Sequence, residues 1–278
     1  MTGRKPPNSR RNLDIAIERI SVGRGDPLRI RLVIANAIVG QMLPEGVVKG
    51  GSSLRLRYGE AASRFTKDFD AARRESAGRF ASDLEARLAD GWHGFTGTLT
   101  AGRKARPKNV PGEYVMQPYS VKLAYNTKSW MTVRLELGHN EIGDADEPEY
   151  RISDDIVELF RELGLPDPDP VPLMPTHHQI AQKLHAVTAP GSERAHDLID
   201  LRLITASEEL DYRGTARTCE RLFAYRKMQE WPPVITAGKS WGRLYDDQRQ
   251  GLDVLESLED AINWDNRLID NIRSARTS

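Results

Sequence analysis

The sequence predicts an α+β protein, with a mixed N-terminal half followed by an almost wholly helical C-terminal half. Three observations carry that prediction. Between Gly94 and Gly138 apolar and polar residues alternate with the two-residue period of half-buried strands, most cleanly in "SWMTVRLELG". The stretches "GHNEIGDADEPEY" and "LGLPDPDPVPLMP" then break the composition with acids and prolines. After them "THHQIAQKLHAV", "ERAHDLIDLRLI", "GTARTCERLFAYRKMQ" and "YDDQRQGLDVLESLEDAINWDNRLIDNIR" read as helices. The division is expected near Asp144–Glu149, giving an α/β domain over 12–148 and a helical domain over 149–278.

The elements follow in order. "MTGRKPPNSRRNL" is basic without an apolar core behind it, so it is expected to be a frayed tail and not a secretory signal. "NLDIAIERI" places Leu13, Ile17 and Ile20 near one helical face, and "PLRIRLVIANAIVGQML" sets Pro27 at a helix's first turn. Val47-Val48-Lys49 forms a short strand running into two glycines, and "SSLRLRYG" a short helix starting at Gly51-Ser52-Ser53. Lys67–Ala72 alternates as a strand, and a helix spans Ala77–Ala89. "GFTGTLT", "EYVMQPYSVKLAYNT" and "SWMTVRLELG" supply further strands. In the last, Met131, Val133, Leu135 and Leu137 share one face and Thr132, Arg134 and Glu136 the other. Thr176 and Gln179 form a capping-box pattern at the start of the helical half.

Composition excludes several classes. Forty basic and forty acidic residues cancel, so any affinity for nucleic acid must come from a local patch. The single cysteine, Cys219, rules out an internal disulfide and fits a reducing cytoplasm. No apolar run approaches the roughly 20 residues of a membrane span. His177, His178, His185 and His196 lack any zinc-binding spacing and are expected to be exposed or capping residues.

The chemistry concentrates in "VVKGGSSLRLRYGEAASRFTKDFDAA". A glycine pair before a helix start bends the chain sharply and presents main-chain N–H groups. With the Ser52 and Ser53 hydroxyls and the helix dipole, they make a seat for a phosphate. Asp68 and Asp70, two apart on a strand, project their carboxylates from one face while Phe69 points to the core. A divalent cation, Mg²⁺ or Mn²⁺, relieves their repulsion, and Glu136 is a candidate third carboxylate. Asp-x-Asp alone often marks only a solvated strand end, and a Gly-Gly-Ser turn alone often only connects elements. On the helical side Lys183 falls at the edge of the stripe Ile180, Leu184 and Val187, opposite Asp197 and Asp200. A Lys–Asp pair at a helix seam and a phosphate-binding lysine are both open there. Arg55, Arg57, Arg64 and Lys67 flank the first motif, and Arg55 and Arg64 lie closest to the phosphate seat. Arg213, Arg217, Arg221, Arg226 and Lys227 follow later, interleaved with Phe223, Tyr225 and Trp231. The late cluster suits an RNA backbone or a solvated helix face equally.

"GGSSLRLRYG" followed by "SRFTKDFDAA" resembles the first signature of the nucleotidyltransferase superfamily. Together with "IAQKLHAV" and "RAHDLIDLRLI" it resembles the AbiEii/AbiGii toxin family, which includes the mycobacterial MenT toxins. The resemblance implies a polymerase-β-like nucleotidyltransferase core with a helical C-terminal domain. It implies a cytoplasmic toxin, restrained by an antitoxin, that transfers a nucleotide from an NTP to RNA. The 3′ end of tRNA is the expected acceptor, where such transfer blocks translation. On this chain it assigns Gly51 and Ser52 to the triphosphate, Asp68 and Asp70 to the metal, and Lys183 to the nucleotide phosphates. Asp197 becomes the late acid, with Asp200 the second candidate. Glu136 stands where an aspartate is common, and Thr66 is a candidate site of regulatory phosphorylation. Transfer to a protein or small molecule remains an alternative, as does a non-catalytic RNA- or protein-binding module.

Overall fold

A computed structural model describes residues 5–60, 62–105 and 115–276. The chain divides into two compact units. The first comprises the described residues up to Gly59, those within Phe65–Asn140, and Ala145–Leu173. The second comprises those within Glu60–Arg64, Glu141–Asp144 and the described residues from Met174 onward.

The first unit is built on a mixed seven-stranded sheet. Its strands are β1 (Gly46–Lys49), β2 (Asp68–Arg73), β3 (Phe95–Ala101), β4 (Gln117–Tyr125), β5 (Lys128–His139), β6 (Glu149–Arg151) and β7 (Val171–Leu173). They lie in the order β3-β4-β5-β2-β1-β7-β6. The meander β3-β4-β5 is antiparallel, and the short Asn126-Thr127 turn joins β4 to β5. β2 runs parallel to β5 and antiparallel to β1, while β7 runs parallel to β1. Helices α1 (Arg10–Ser21), α2 (Pro27–Gln41), α3 (Gly50–Tyr58), α4 (Ala77–Asp90) and α5 (Asp154–Leu163) complete the unit. Side chains at their starts accept the first free N–H groups: Ser9 from Asn12 in α1, Asp26 from Leu28 in α2, Ser76 from Arg79 in α4. In α2, Ile30 and every residue of Leu32–Gly40 are buried. Such an apolar helix belongs inside the core. Phe69, Leu84, Phe95, Val133, Leu135 and Phe160 are fully buried within the same core.

The second unit is helical: α6 (Thr176–Val187), α7 (His196–Ser207), α8 (Tyr212–Arg226), α9 (Trp241–Arg249) and α10 (Leu258–Ser274). Asp211 caps α8 and Ser257 caps α10. Among the described residues no helix is long and apolar enough to cross a membrane.

Several expectations change in detail. The helix after the glycines begins at Gly50, because a positive φ there (+64°) lets the chain turn directly out of β1. Thr176 does not cap α6: it is the first helical residue, the cap position belongs to Pro175, and no side-chain cap bond forms. The capping-box pattern is thus one place out of register with its helix. The N-terminal segment is not frayed throughout, since α1 starts at Arg10 and the Tyr125 hydroxyl donates to the Pro7 carbonyl at 2.6 Å. Residues 1–4 of that tail, and Glu113 and Tyr114 of an expected strand, lie outside the described residues. The acidic, proline-rich stretch contains β6, α5 and β7, whose short strands carry too few residues to show a period.

Candidate active site

Three adjacent strands set the geometry in the first unit. Their registers place Lys49 of β1 beside Asp70 of β2, and Asp70 beside Glu136 of β5, in one cross-strand row. Asp68 and Asp70 are half-buried and flank the fully buried Phe69, so both carboxylates leave the same face of β2. The glycine turn lies directly against them: a Cβ on Gly50 would stand 2.3 Å from the Asp70 Oδ2. The Ser52 hydroxyl donates to the Asp68 carbonyl at 2.6 Å, tying the start of α3 to the start of the acidic strand. With that proton committed, the donors for an anion are the main-chain N–H groups in the first turn of α3, which have no partner within the helix. Lys49, the residue at the cap position, makes no side-chain cap bond.

The row is electrostatically tense. Burial pushes the Glu136 carboxyl up, the charges of Asp70 and then Asp68 push it further, and the Lys49 ammonium opposes them. Lys49 Nζ lies 3.0 Å from where a Cβ on Gly138 would stand, so this cation extends across the strands. Sequence reasoning gave Lys49 no role. The signal was a charged residue ending an apolar strand just before the turn.

Two hard-oxygen ligands on one face beside an anion seat fit Mg²⁺ or Mn²⁺, which take one or two carboxylates and complete their shell with phosphates and water. Among the described residues no three His, Cys, Asp or Glu side chains are grouped to hold a metal. Asp68 and Asp70 could supply two carboxylates to such an ion, with Glu136 beside them in the row.

The arginines near the motif have partners of their own. Arg55 is buried, its guanidinium 5.2 Å from the Phe65 ring and its Nη1 3.5 Å from the carbonyl of the half-buried Thr66. It braces the segment that leads into β2. Arg57 pairs with Glu149.

The second unit holds the other candidates. Lys183 on α6 donates to Asp197 Oδ1 at 3.1 Å and Asp200 Oδ2 at 2.5 Å, both on α7. Arg64 Nε meets Asp200 Oδ1 at 2.9 Å, and Arg194 Nε meets Asp197 Oδ2 at 2.6 Å. Both aspartates are fully buried. Three cations thus surround two carboxylates, and both acids engage the same lysine. Burial disfavours the ionised Asp197, but Lys183 and Arg194 outweigh it and hold the carboxyl below its ordinary range. His196 is pushed down to about 4 by burial, with Arg64 and Arg194 adding to the effect against Asp197. His185 is likewise pushed down to about 4, by burial and then by Arg226. His185 is buried and His196 half-buried, where the sequence suggested exposed or capping histidines.

A family model described as "Nucleotidyl transferase AbiEii toxin, Type IV TA system" matches residues 37–272. No curated protein matches the chain. Among solved structures it is similar to MenT4, the nucleotidyltransferase toxin Rv2826c from Mycobacterium tuberculosis H37Rv. The two share 14% identity over 95% of this chain and 98% of that one, with a TM-score of 0.51, a likeness of fold. It is also similar to JHP933 from Helicobacter pylori, at 16% identity, 88% and 90% coverage and a TM-score of 0.42. The match to the family model spans both the glycine turn with its acidic strand and the Lys183–Asp197–Asp200 cluster, and the chain belongs to the AbiEii nucleotidyl transferase toxin family of type IV toxin–antitoxin systems.

Proposed function

We propose that this chain transfers a nucleoside monophosphate from an NTP to the 3′ end of an RNA, with tRNA as the acceptor, and so blocks translation. The observation that carries the reading is the close approach of the Gly50 turn to the Asp70 carboxylate, which puts an anion seat and a cation seat side by side. The first-turn N–H groups at Gly51 and Ser52 hold the triphosphate, and Asp68 and Asp70 hold Mg²⁺ or Mn²⁺. When bound, the metal supplies positive charge to the triphosphate. The acceptor hydroxyl gives up its proton to water as its oxygen bonds to the α-phosphorus, the bond to the oxygen bridging to the β-phosphate breaks, and pyrophosphate leaves. Lys49 and Glu136 tune the charge beside the aspartates. Positioning and preorganised charge supply most of the rate.

The roles of Lys183 at the nucleotide phosphates, of Asp197 or Asp200 as the late acid, and of Thr66 as a phosphorylation site rest on the family resemblance, and that of Arg64 on its place beside the phosphate seat in the sequence. Arg55, given its contacts, holds the Phe65-Thr66 segment that leads into β2. A type IV system implies an antitoxin, and its identity is open.

The test incubates purified protein with total tRNA and each α-labelled NTP in turn. Label should enter RNA with one or a few NTPs, and Asp70→Ala should abolish it while leaving the thermal melt cooperative. An Asp70→Ala protein that labels RNA at the wild-type rate removes the assignment. Labelling of protein instead of RNA moves the acceptor to a side chain.

A further inference from the structure

The late arginines belong to different environments. Arg226 is committed to Glu141 and lies 3.2 Å from His185, so its charge is used inside the second unit. Arg213, Arg217 and Arg221 differ: they recur every four residues along the exposed face of α8. At 1.5 Å per residue they stand about 6 Å apart along the helix, the scale of neighbouring phosphates on an extended strand. Arg221 donates to the Ile142 carbonyl at 2.7 Å, which orients the guanidinium without neutralising it. Arg213 and Arg217 take part in no ion pair among the described residues.

This stripe runs toward a groove of about 650 Å³ at the C-terminal end of α8. Phe223 and Trp231 form its aromatic wall, ring centroids 5.3 Å apart and nearly edge to face, and Met228 beside them is 62% exposed. Of the charges lining it, Glu220 is neutralised by Arg276 at 2.7 Å, leaving Lys227 against Glu230. A helix C-terminus carries negative partial charge, which disfavours a phosphate in the groove and suits an uncharged flat ring there. Cationic ladder and apolar slot together match a single strand of RNA: backbone along the arginines, one unstacked base in the slot.

We infer that α8 and the Trp231 groove form a single-stranded RNA-binding surface of the second unit, engaging the RNA acceptor. This rests on the reading of the acceptor as RNA. The arginine stripe supplies affinity without sequence preference, and the slot supplies a preference for unpaired nucleotides.

The test measures anisotropy of a fluorescein-labelled, unstructured RNA oligonucleotide with the full chain, without NTP, across a salt series. Each arginine removed from a single-strand phosphate should lower the log–log salt slope by about 0.7. Arg213→Ala with Arg217→Ala should therefore reduce the slope by about 1.4 and weaken low-salt binding at least about tenfold. Trp231→Leu should weaken binding roughly five- to hundredfold with the slope unchanged. If Trp231→Leu melts early, Met228→Ser probes the same wall. Unchanged affinity and slope in the double variant overturn the inference, as does equal displacement by polyglutamate, which marks a surface for an acidic protein. Asp70→Ala should lose labelling and still bind RNA as wild type does, whereas a wild-type protein that binds RNA this way yet incorporates no nucleotide sinks the function and spares the surface. Labelling of RNA by the double variant with wild-type affinity does the reverse.

Discussion

Gly50 is where backbone conformation and chemistry meet. Its φ of +64° is one that a side chain adopts at a cost of about 1–3 kcal/mol, and any Cβ would also press on the Asp70 carboxylate. Gly50→Ala should lose that stability and most nucleotide incorporation together. Gly23 makes the useful control, with φ +87° and open space around it. Gly23→Ala should lower the melting temperature slightly and leave incorporation intact, and equal activity losses in the two would refute the steric argument. The glycine pair and the two aspartates were legible in the sequence because turn chemistry and the two-residue strand period are local rules. Lys49 was not, since its importance comes from residues far along the chain that it meets through the register of β2 and β5.

At the scale of elements, α6 and α7 are joined by buried charge. Lys183 is the shared partner of Asp197 and Asp200, and removing it leaves each carboxylate with one arginine. Lys183→Met should destabilise the chain by about 3–5 kcal/mol, read as a drop in the urea midpoint. A near-neutral result would show that Arg64 and Arg194 suffice. The two histidines give this unit a pH signature. Their folded values of about 4 lie below the ordinary 6.5, so the unfolded chain takes up protons first as pH falls. The histidines' contribution is complete above about pH 6.5 and is lost between 6.5 and 4, and that of Asp197, held low by its cations, is lost further into acid. His185→Gln should flatten the profile between pH 6.5 and 4, and an unaltered profile would exclude His185 as a source. The seam itself could be anticipated from helical periodicity; the histidines' burial could not, because short polar rings fit either a surface or a packed interior.

For the molecule as a whole, the proposed function predicts that nucleotide and metal act together on stability. At a free NTP concentration about a hundredfold above its dissociation constant, binding to the native state alone contributes about 2.7 kcal/mol. A melting shift of several degrees should appear with NTP and Mg²⁺, shrink with EDTA, and be lost in Asp70→Ala. An equal shift without divalent metal would remove Asp68 and Asp70 from nucleotide binding. The order of the strands was beyond the sequence. β2 lies between β1 and β5 with β7 beyond, so segments distant along the chain become neighbours. Non-local pairings of that kind leave no period to read, and β6 and β7 are only three residues each.

What the sequence determined alone was the kind of elements, the glycine turn, the acidic strand and the family, because each is written in residues close along the chain. The tertiary structure decided that Gly50 abuts Asp70, that Lys49 and Glu136 flank it, and that Lys183 serves two aspartates at once. Side-chain neighbours across a sheet or a helix seam depend on register and burial, and these are settled only when the whole core packs.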